Sequence, residues 1–147
     1  MGGSADDGAV QGGDRQGIAG VVVRGDGRGC LLGYPTANIE IAGSVEFPPD
    51  GVYAGVLERA DGSSHLGVVS VGTRPTYYGS GGVRLLEVHL IDFDADIYGE
   101  AVRLLVGGKV RDQERFDSAD DLIAAMGRDV ATVRRLAAAH PASTPAP

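Results

Sequence analysis

The segment Val83-Arg84-Leu85-Leu86-Glu87-Val88-His89-Leu90-Ile91-Asp92-Phe93 indicates how this chain is built. Successive side chains of a β-strand point to opposite faces, so the segment has one aliphatic and one mixed face. The aliphatic face is formed by Leu86, Val88 and Leu90. The mixed face is formed by Leu85, Glu87, His89 and Ile91. This alternation predicts a half-buried strand over Val83–Phe93, with the Glu87 carboxylate either in water or lining a cavity.

Five further short runs rich in apolar residues alternate with Gly, Pro and Asp, which is typical of an all-β barrel or sandwich. The predicted strands are Ile18–Arg24, Ala37–Ile41, Val52–Glu58, Leu66–Gly72 and Ala101–Lys109. Asp61-Gly62 indicates a hairpin between the third and fourth strands of the chain. The segment Ala42–Asp50 contains two consecutive prolines and is expected to be a connection.

The last part of the chain has helical rather than strand periodicity. Ser118 is a candidate N-cap, and Asp120 and Asp121 follow in the first turn, where carboxylates favour the helix dipole. Apolar residues then recur at helical spacing, at Leu122, Ile123, Met126, Val130, Val133 and Leu136. Arg134 and Arg135 lie near the expected C-terminal end. This stripe predicts a helix that packs against the barrel.

Length and composition restrict the class of protein. A chain of 147 residues with 43% hydrophobic residues is expected to form one domain over residues 17–140, between an unstructured leader (1–16) and tail (141–147). The single cysteine, Cys30, excludes an internal disulfide and favours a reducing cytoplasm. A net charge of −7 opposes binding to nucleic acid or to an anionic membrane.

Ahead of the second predicted strand, the run from Gly25 to Asn38 contains four glycines within nine residues. Glycine permits close approach of backbone amides to an anion, and Pro35 stiffens the segment that follows. Thr36 and Asn38 project from the same side of an extended chain, and both carry oxygens that Mg²⁺ and phosphate accept. The ending of a P-loop is absent from this run. Taken alone, the glycine content favours a simple glycine-rich hairpin followed by a turn.

Four later segments accompany this run in a fixed order. They are Gly51–Gly55, Ser70–Thr76, Glu87–Gly99 and Val110–Ser118. Together with Pro35-Thr36-Ala37-Asn38, they resemble the ATP-dependent riboflavin kinases, which occur alone or as the C-terminal half of bacterial FAD synthetases. The resemblance extends roughly from Gly17 to Leu136.

The resemblance implies a six-stranded antiparallel Greek-key barrel closed by a C-terminal α-helix. It implies transfer of the ATP γ-phosphate to the ribityl 5′-hydroxyl of riboflavin, giving FMN and ADP, with Mg²⁺ as the cofactor. Glu87 matches the catalytic carboxylate that accepts the hydroxyl proton, although an arbitrary strand glutamate is more often merely solvated.

By the same resemblance, Thr36 and Asn38 bind Mg²⁺ and the nucleotide phosphates. Gly27, Arg28 and Gly29 belong to the loop that covers the nucleotide, although a loop arginine can also be simply solvated. Arg111, Glu114 and Phe116 belong to a flap beside the flavin. Phe116 could equally staple the start of the helix to the barrel. The partners expected are riboflavin, FMN, ATP and ADP, bound by a monomer.

Two alternatives remain at this point. Cys30 occupies a position where the family often has a basic residue, so the barrel could bind flavin or nucleotide without turnover, as a sensor or partner domain. The glycine-rich leader also agrees with a domain excised from a larger synthetase. Because the nucleotidyltransferase half of such synthetases is absent from this sequence, we expect FMN rather than FAD as the product.

Overall fold

The computed structural model describes residues 17–23, 36–41, 48–75 and 82–139. These residues form six strands and one helix. The strands are β1 (Gly17–Val23), β2 (Ala37–Ile41), β3 (Gly51–Arg59), β4 (Ser64–Pro75), β5 (Gly82–Leu90) and β6 (Ala101–Arg111), and the helix is α1 (Ala119–Ala139). The predicted leader, tail and Gly25–Pro35 run lie outside the described residues, as does most of the predicted connection over Ala42–Asp50.

The six strands close into one antiparallel barrel in the order β1-β2-β5-β4-β3-β6. Strands β3, β4 and β5 form consecutive hairpins, and β6 returns to pair with β3. This arrangement is a Greek key. The expected fold, a Greek-key barrel with a C-terminal helix, is therefore confirmed, and the Asp61-Gly62 turn joins β3 to β4 as predicted, with Gly62 at a φ of 92°.

The barrel interior is filled by aliphatic side chains from every strand. Its most deeply buried members include Val22, Ile39, Leu57, Val69, Leu86, Val88 and Leu104. Gly55 and Gly67 face each other across β3 and β4. A Cβ at Gly55 would lie 2.5 Å from Val69 Cγ2, so glycine at this position leaves room for the interior valines.

Helix α1 lies against the outer face of β3, β4 and β6. Ser118 Oγ accepts a hydrogen bond from the amide of Asp121 at 3.1 Å, which confirms the predicted N-cap. The line buried against the barrel is Ala125, Asp129 and Val133. Of the predicted apolar stripe only Val133 is fully covered. The helix also continues three residues past Leu136, so Arg134 and Arg135 lie before the last turn rather than in it.

Strand β5 ends at Leu90 and not at Phe93 as predicted. Ile91 and Asp92 form a turn, and Asp92 adopts a left-handed conformation with a φ of 57°, which aspartate tolerates better than most residues. The Asp92 carboxylate accepts two hydrogen bonds from Arg134, at 2.9 and 3.0 Å. The strand therefore ends three residues earlier than alternation alone predicts.

Strand β6 contains two irregularities where it pairs with β3. Tyr53 pairs with Lys109 and Gly55 with Val106, so Gly107 and Gly108 together oppose Ala54 as a bulge. A second extra residue follows before Arg111 pairs with Val52. Each one-residue shift moves the following side chains of β6 to the opposite face of the sheet. After both shifts, the side chains are again on the faces that simple alternation predicts. Arg111 is thereby directed to the outer face, toward α1.

In the described part of the chain, no helix is long and apolar enough to cross a membrane.

Candidate functional site

Three polar residues lie side by side across the outer face of the barrel. The register pairs Asn38 of β2 with Glu87 of β5, and Glu87 in turn with Ser70 of β4. The neighbours of these residues along each strand, such as Ile39, Val88 and Val71, point into the core. Directly opposed side chains have Cβ atoms about 5 Å apart, so the three polar groups form one contiguous row, which we call the polar row.

Asn38 supplies the strongest local signal for a ligand. Its Oδ1 atom is buried, and it has no hydrogen-bond donor within the described residues. Leaving a buried acceptor unsatisfied costs about 1–3 kcal/mol, and most buried side-chain oxygens in proteins are paired. A site that binds a cation or a phosphate-bound metal gives such an oxygen its partner. This unsatisfied oxygen makes Asn38 a candidate ligand-binding residue.

These residues fit the Mg²⁺ expected from the sequence. Magnesium is usually held by one or two protein oxygens together with substrate phosphates and waters. The orphaned Asn38 oxygen matches that requirement, and Thr36 lies two residues ahead of it, directly before β2. Within the described ranges, no three His, Cys, Asp or Glu side chains cluster closely enough to form an all-protein metal cage.

The segment after β6 is anchored beside the polar row by Gln113. The Gln113 amide nitrogen donates to Ser70 Oγ at 2.8 Å, to the Val71 carbonyl at 3.0 Å and to the Gly51 carbonyl at 3.3 Å. These contacts join the segment to both β3 and β4. The expected flap is thus fixed to the barrel at this residue.

Arg111 holds the same segment to the helix. Its guanidinium donates two hydrogen bonds of 2.8 Å to the Asp129 carboxylate, and it lies 5.6 Å from the centre of the Phe116 ring. The hydrogen bond to Asp129 raises the pKa of Arg111, more than partial burial lowers it. Glu114 lies 3.9 Å from the guanidinium and is more exposed. Glu114 and Phe116 therefore both lie near Arg111, and the role of these three residues beside the flavin stays a prediction.

The predicted site residues are only partly assembled in the described structure. Asn38 and Glu87 are strand neighbours, and Thr36 lies close by in sequence. A second group consists of Arg111, Glu114 and Phe116. It lies next to the polar row, because Arg111 pairs with Val52 of β3 and Val52 pairs with Ser70 of β4. Gly27, Arg28 and Gly29 lie outside the described residues, and their nucleotide-covering role stays a prediction.

Sequence reasoning missed three residues of this region: Ser70, Gln113 and Asp129. Asp129 lies on the buried line of α1, four residues from both Ala125 and Val133. An acidic residue at a core-facing helical position signals a buried pair, since buried carboxylates are almost always paired. Gln113 and Ser70 carry no comparable signal, because exposed glutamines and strand serines are common.

A second polar cluster lies around Arg59, the last residue of β3. Arg59 donates to both oxygens of Glu100, at 3.0 and 2.7 Å, and lies 5.7 Å from the centre of the Phe93 ring. His65 meets the same ring edge-on, with centroids 4.6 Å apart. Arg59 lies seven residues along β3 from Val52, so the two clusters are separated by about 23 Å of strand. We call this group the Arg59 cluster.

Comparison with known proteins agrees with the motifs. The family profile described as riboflavin kinase (Flavokinase) matches residues 13–137. The chain is 40% identical over 118 residues to a protein of Bacillus subtilis named RNA-binding riboflavin kinase RibR, covering 80% of this chain and 50% of the relative. It is 41% identical over 118 residues to the bifunctional riboflavin kinase/FMN adenylyltransferase of Escherichia coli strain K12, covering 80% of this chain and 36% of the relative. The chain thus spans half or less of the length of these relatives.

Solved structures show the same likeness. The riboflavin kinase from Trypanosoma brucei superposes with a TM-score of 0.58 and 25% identity, covering 82% of this chain and 78% of that one. A Streptococcus pneumoniae structure titled as a macrolide-efflux protein superposes with a TM-score of 0.76 and 35% identity, covering 82% of this chain and 38% of that one. Because the family profile covers most of the described barrel and helix, the resemblance seen in the motifs is confirmed: the chain belongs to the riboflavin kinase family.

Proposed function

We propose that the protein is an ATP-dependent riboflavin kinase. The ribityl 5′-hydroxyl oxygen of riboflavin forms a new bond to the γ-phosphorus of ATP, and the bond from that phosphorus to the β-γ bridging oxygen breaks. The products are FMN and ADP, and the hydroxyl proton leaves the attacking oxygen. Family membership supports this reaction. The observation that carries it is that Glu87 lies directly opposite Asn38, whose side-chain oxygen is buried without a donor among the described residues.

Glu87 accepts the proton of the 5′-hydroxyl in this proposal. Phosphoryl transfer needs little covalent help from the protein, so the main task of the carboxylate is to hold the hydroxyl in line with the γ-phosphorus. A central position in a closed barrel suits that task, because β5 is hydrogen-bonded to a strand on each side. The backbone under Glu87 is therefore rigid, which limits how far the carboxylate can move from the attacking oxygen.

Asn38 and Thr36 would hold Mg²⁺ and the nucleotide phosphates next to this carboxylate. The metal, when bound, offsets the phosphate charge that this acidic chain would otherwise repel. Because Asn38 and Glu87 are directly opposed across two strands, they hold the phosphate end of the nucleotide and the acceptor hydroxyl close to one another. The Gly27–Gly29 loop, with Arg28, would cover the nucleotide.

The flavin would lie toward Arg111, Glu114 and Phe116. The guanidinium of Arg111 is already hydrogen-bonded to Asp129 and lies 5.6 Å from the centre of the Phe116 ring. We therefore propose that Arg111 mainly shapes this side of the flavin site. Phe116 and Glu114 contact the flavin. This arrangement reconciles the two sequence hypotheses for Phe116, since the ring can order the start of the helix and still border the flavin.

The remaining expectations concern partners and location. We expect a monomer located in the cytoplasm that uses Mg²⁺ and has no nucleic-acid partner. One relative is named as RNA-binding, and the net charge of −7 is the reason for not extending that property to this chain. A gel-shift assay with RNA at low ionic strength would test that expectation, and a shifted band would overturn it.

Incubation of the purified protein with riboflavin, ATP and Mg²⁺, followed by chromatography, tests the proposed function. FMN and ADP should appear in equal amounts, and omission of either ATP or the divalent ion should prevent both. Binding of riboflavin without FMN formation under Mg²⁺, Mn²⁺ or Zn²⁺ would reject the kinase and favour the flavin-binding module. FAD formation would contradict the expectation that the reaction stops at FMN.

A further inference from the structure

We propose that Gln113 is a positioning residue for riboflavin, because it fastens residues 112–117, the expected flap, to the barrel before the substrate arrives. The inference rests on the proposed function, since it concerns the flavin side of the same site. It arises from three hydrogen bonds through which this one side chain joins the flap to β3 and β4.

The first step concerns the elements that the flap contacts. Glu114 and Phe116 both lie near Arg111, the last residue of β6, which is the strand from which the flap starts. Gln113 instead reaches two other strands of the barrel. Contacts with the preceding strand still allow a segment to turn about the end of that strand. Contacts with two further strands fix its position over the sheet.

The second step concerns the end of the Gln113 amide that makes these contacts. The carbonyl oxygens of Val71 and Gly51 can only accept hydrogen bonds, so the group that faces them is the NH₂ end. The same group donates to Ser70 Oγ at 2.8 Å. An ionised glutamate has nearly the same shape but no hydrogen to donate to the two carbonyls. A glutamate at this position therefore separates the effect of donation from the effect of shape.

The third step concerns the place where the flap is held. Ser70 is paired in register with Glu87, and neighbouring strands lie about 4.8 Å apart. The fastening point is thus one strand away from the carboxylate that accepts the proton in the proposed reaction. Glu114 follows Gln113 directly, and Phe116 lies two residues further along the chain. Gln113 therefore holds the proposed flavin contacts beside the proposed base.

The consequence is an effect on affinity and not on the chemical step. A flap that is already fastened does not have to be ordered when riboflavin binds, so binding does not include the entropic cost of ordering it. Loss of the fastening adds that cost equally to the substrate complex and to the transition state. The Kd and the KM for riboflavin then rise, whereas kcat is unchanged.

The test compares Gln113→Glu and Gln113→Ala with the parent in the intact chain. Gln113 is exposed, so both variants are expected to fold, and circular dichroism and unfolding midpoints check this. Each variant should raise the Kd and the KM for riboflavin about tenfold, with kcat within about twofold of the parent and the KM for ATP unchanged. Gln113→Glu should be at least as damaging as Gln113→Ala, because it keeps the shape and loses the donor.

Asp61→Ala is the matched control. The Asp61 carboxylate accepts hydrogen bonds from the amide and the hydroxyl of Ser63, at 2.8 and 2.6 Å, and so holds the turn between β3 and β4. This variant also loses an exposed side chain that fastens a loop, but at the opposite end of the two strands. Its Kd and KM for riboflavin should equal those of the parent.

Limited digestion with trypsin adds a measurement that needs no activity. Arg115 is exposed within the flap, and a loosened segment is cleaved faster than a fastened one. In the absence of ligands, both Gln113 variants should be cut after Arg115 faster than the parent and faster than Asp61→Ala. Equal rates of cleavage would show that Gln113 does not fasten the flap, and the inference would be overturned.

The kinetic outcomes distinguish this inference from the proposed function. If the parent forms FMN and both Gln113 variants keep its Kd for riboflavin, the inference is overturned alone. A fall in kcat at unchanged KM also overturns it, because the residue would then act on the chemical step. If the parent binds riboflavin without forming FMN, the proposed function fails, and the Kd values of the variants decide the inference by themselves. A parent that does not bind riboflavin overturns both.

Discussion

Two polar clusters of opposite kinds lie level with the two ends of β3. At the Arg59 cluster, an arginine and a carboxylate satisfy each other with two hydrogen bonds, and an aromatic ring lies beside the guanidinium. At the polar row, the Asn38 oxygen is buried with no donor among the described residues. A satisfied cluster stabilises the fold, whereas an unsatisfied one costs stability and is retained where a ligand completes it. We therefore propose that the Arg59 cluster serves the barrel and the polar row serves the reaction, and variants at either cluster test this assignment.

The largest effect is expected at the centre of the polar row. Glu87→Gln is nearly isosteric and keeps an oxygen that can accept a hydrogen bond from the ribityl hydroxyl, but it cannot take the proton. We expect kcat and kcat/KM to fall together by about 10²–10⁴, with riboflavin binding largely unchanged. Steady-state kinetics and a riboflavin binding titration measure the two quantities.

Glu58→Gln is the matched control for this variant. Glu58 is also a strand carboxylate and lies near the Arg59 cluster, where it is 3.7 Å from Arg103. Its replacement should leave kcat within a few-fold of the parent. A Glu87→Gln enzyme that behaves like Glu58→Gln would show that Glu87 is an ordinary surface carboxylate.

Asn38→Ala should separate stability from activity. Turnover should be abolished, because the metal and phosphates lose a ligand, and Thr36→Ala should act in the same way. Stability should be unchanged or slightly raised, since the substitution removes an unsatisfied buried oxygen. Near-normal activity at saturating Mg²⁺, or a substantial loss in the unfolding midpoint, would show that Asn38 serves the fold instead.

Strand alternation predicted an all-β barrel or sandwich, and the family resemblance decided for the barrel. Neither predicted the contacts made by the ends of the strands. The aliphatic faces of β2 and β5 contribute to the core. Because successive side chains of a strand point to opposite faces, Glu87 and Asn38 lie on the other face. The end of β5 was overestimated, because Ile91 and Phe93 prolong the apolar run while the chain turns at Ile91 and Asp92. The bulge at Gly107 and Gly108 and the roles of Gln113 and Ser70 depend on register between distant strands, which no local pattern contains.

A third prediction concerns the two ion pairs that join α1 to the barrel. Arg111–Asp129 and Arg134–Asp92 both have two hydrogen bonds, but the Asp129 side chain is 6% exposed and that of Asp92 is 74% exposed. Removing one partner of a buried pair leaves a charge without compensation. Asp129→Ala should therefore reduce the free energy of unfolding by about 3 kcal/mol.

The exposed pair provides the control. Asp92→Ala should cause a much smaller change, since water already solvates both charges. Urea unfolding of both variants measures the difference. Equal losses would indicate that the burial of Asp129 contributes nothing, and that α1 is attached to the barrel through its apolar line alone.

The smallest effect is expected at the Arg59 cluster and depends on pH. The hydrogen bonds from Arg59 lower the pKa of Glu100 from its usual 4.5, and the same contact raises the pKa of Arg59. A carboxyl whose pKa is lower in the folded state stabilises the fold above its unfolded pKa, and the contribution is lost as the pH falls through the folded value. Glu100→Gln should thus be less stable than the parent at pH 7, and the two curves should converge as the pH drops below about 4.5 toward the lower, folded value. Thermal unfolding midpoints of both proteins between pH 3 and pH 7 measure this convergence, and kcat at pH 7 should be unaffected. A difference that stays constant across this range would mean that the Glu100 charge does not stabilise the barrel, and that its side chain acts there only through packing.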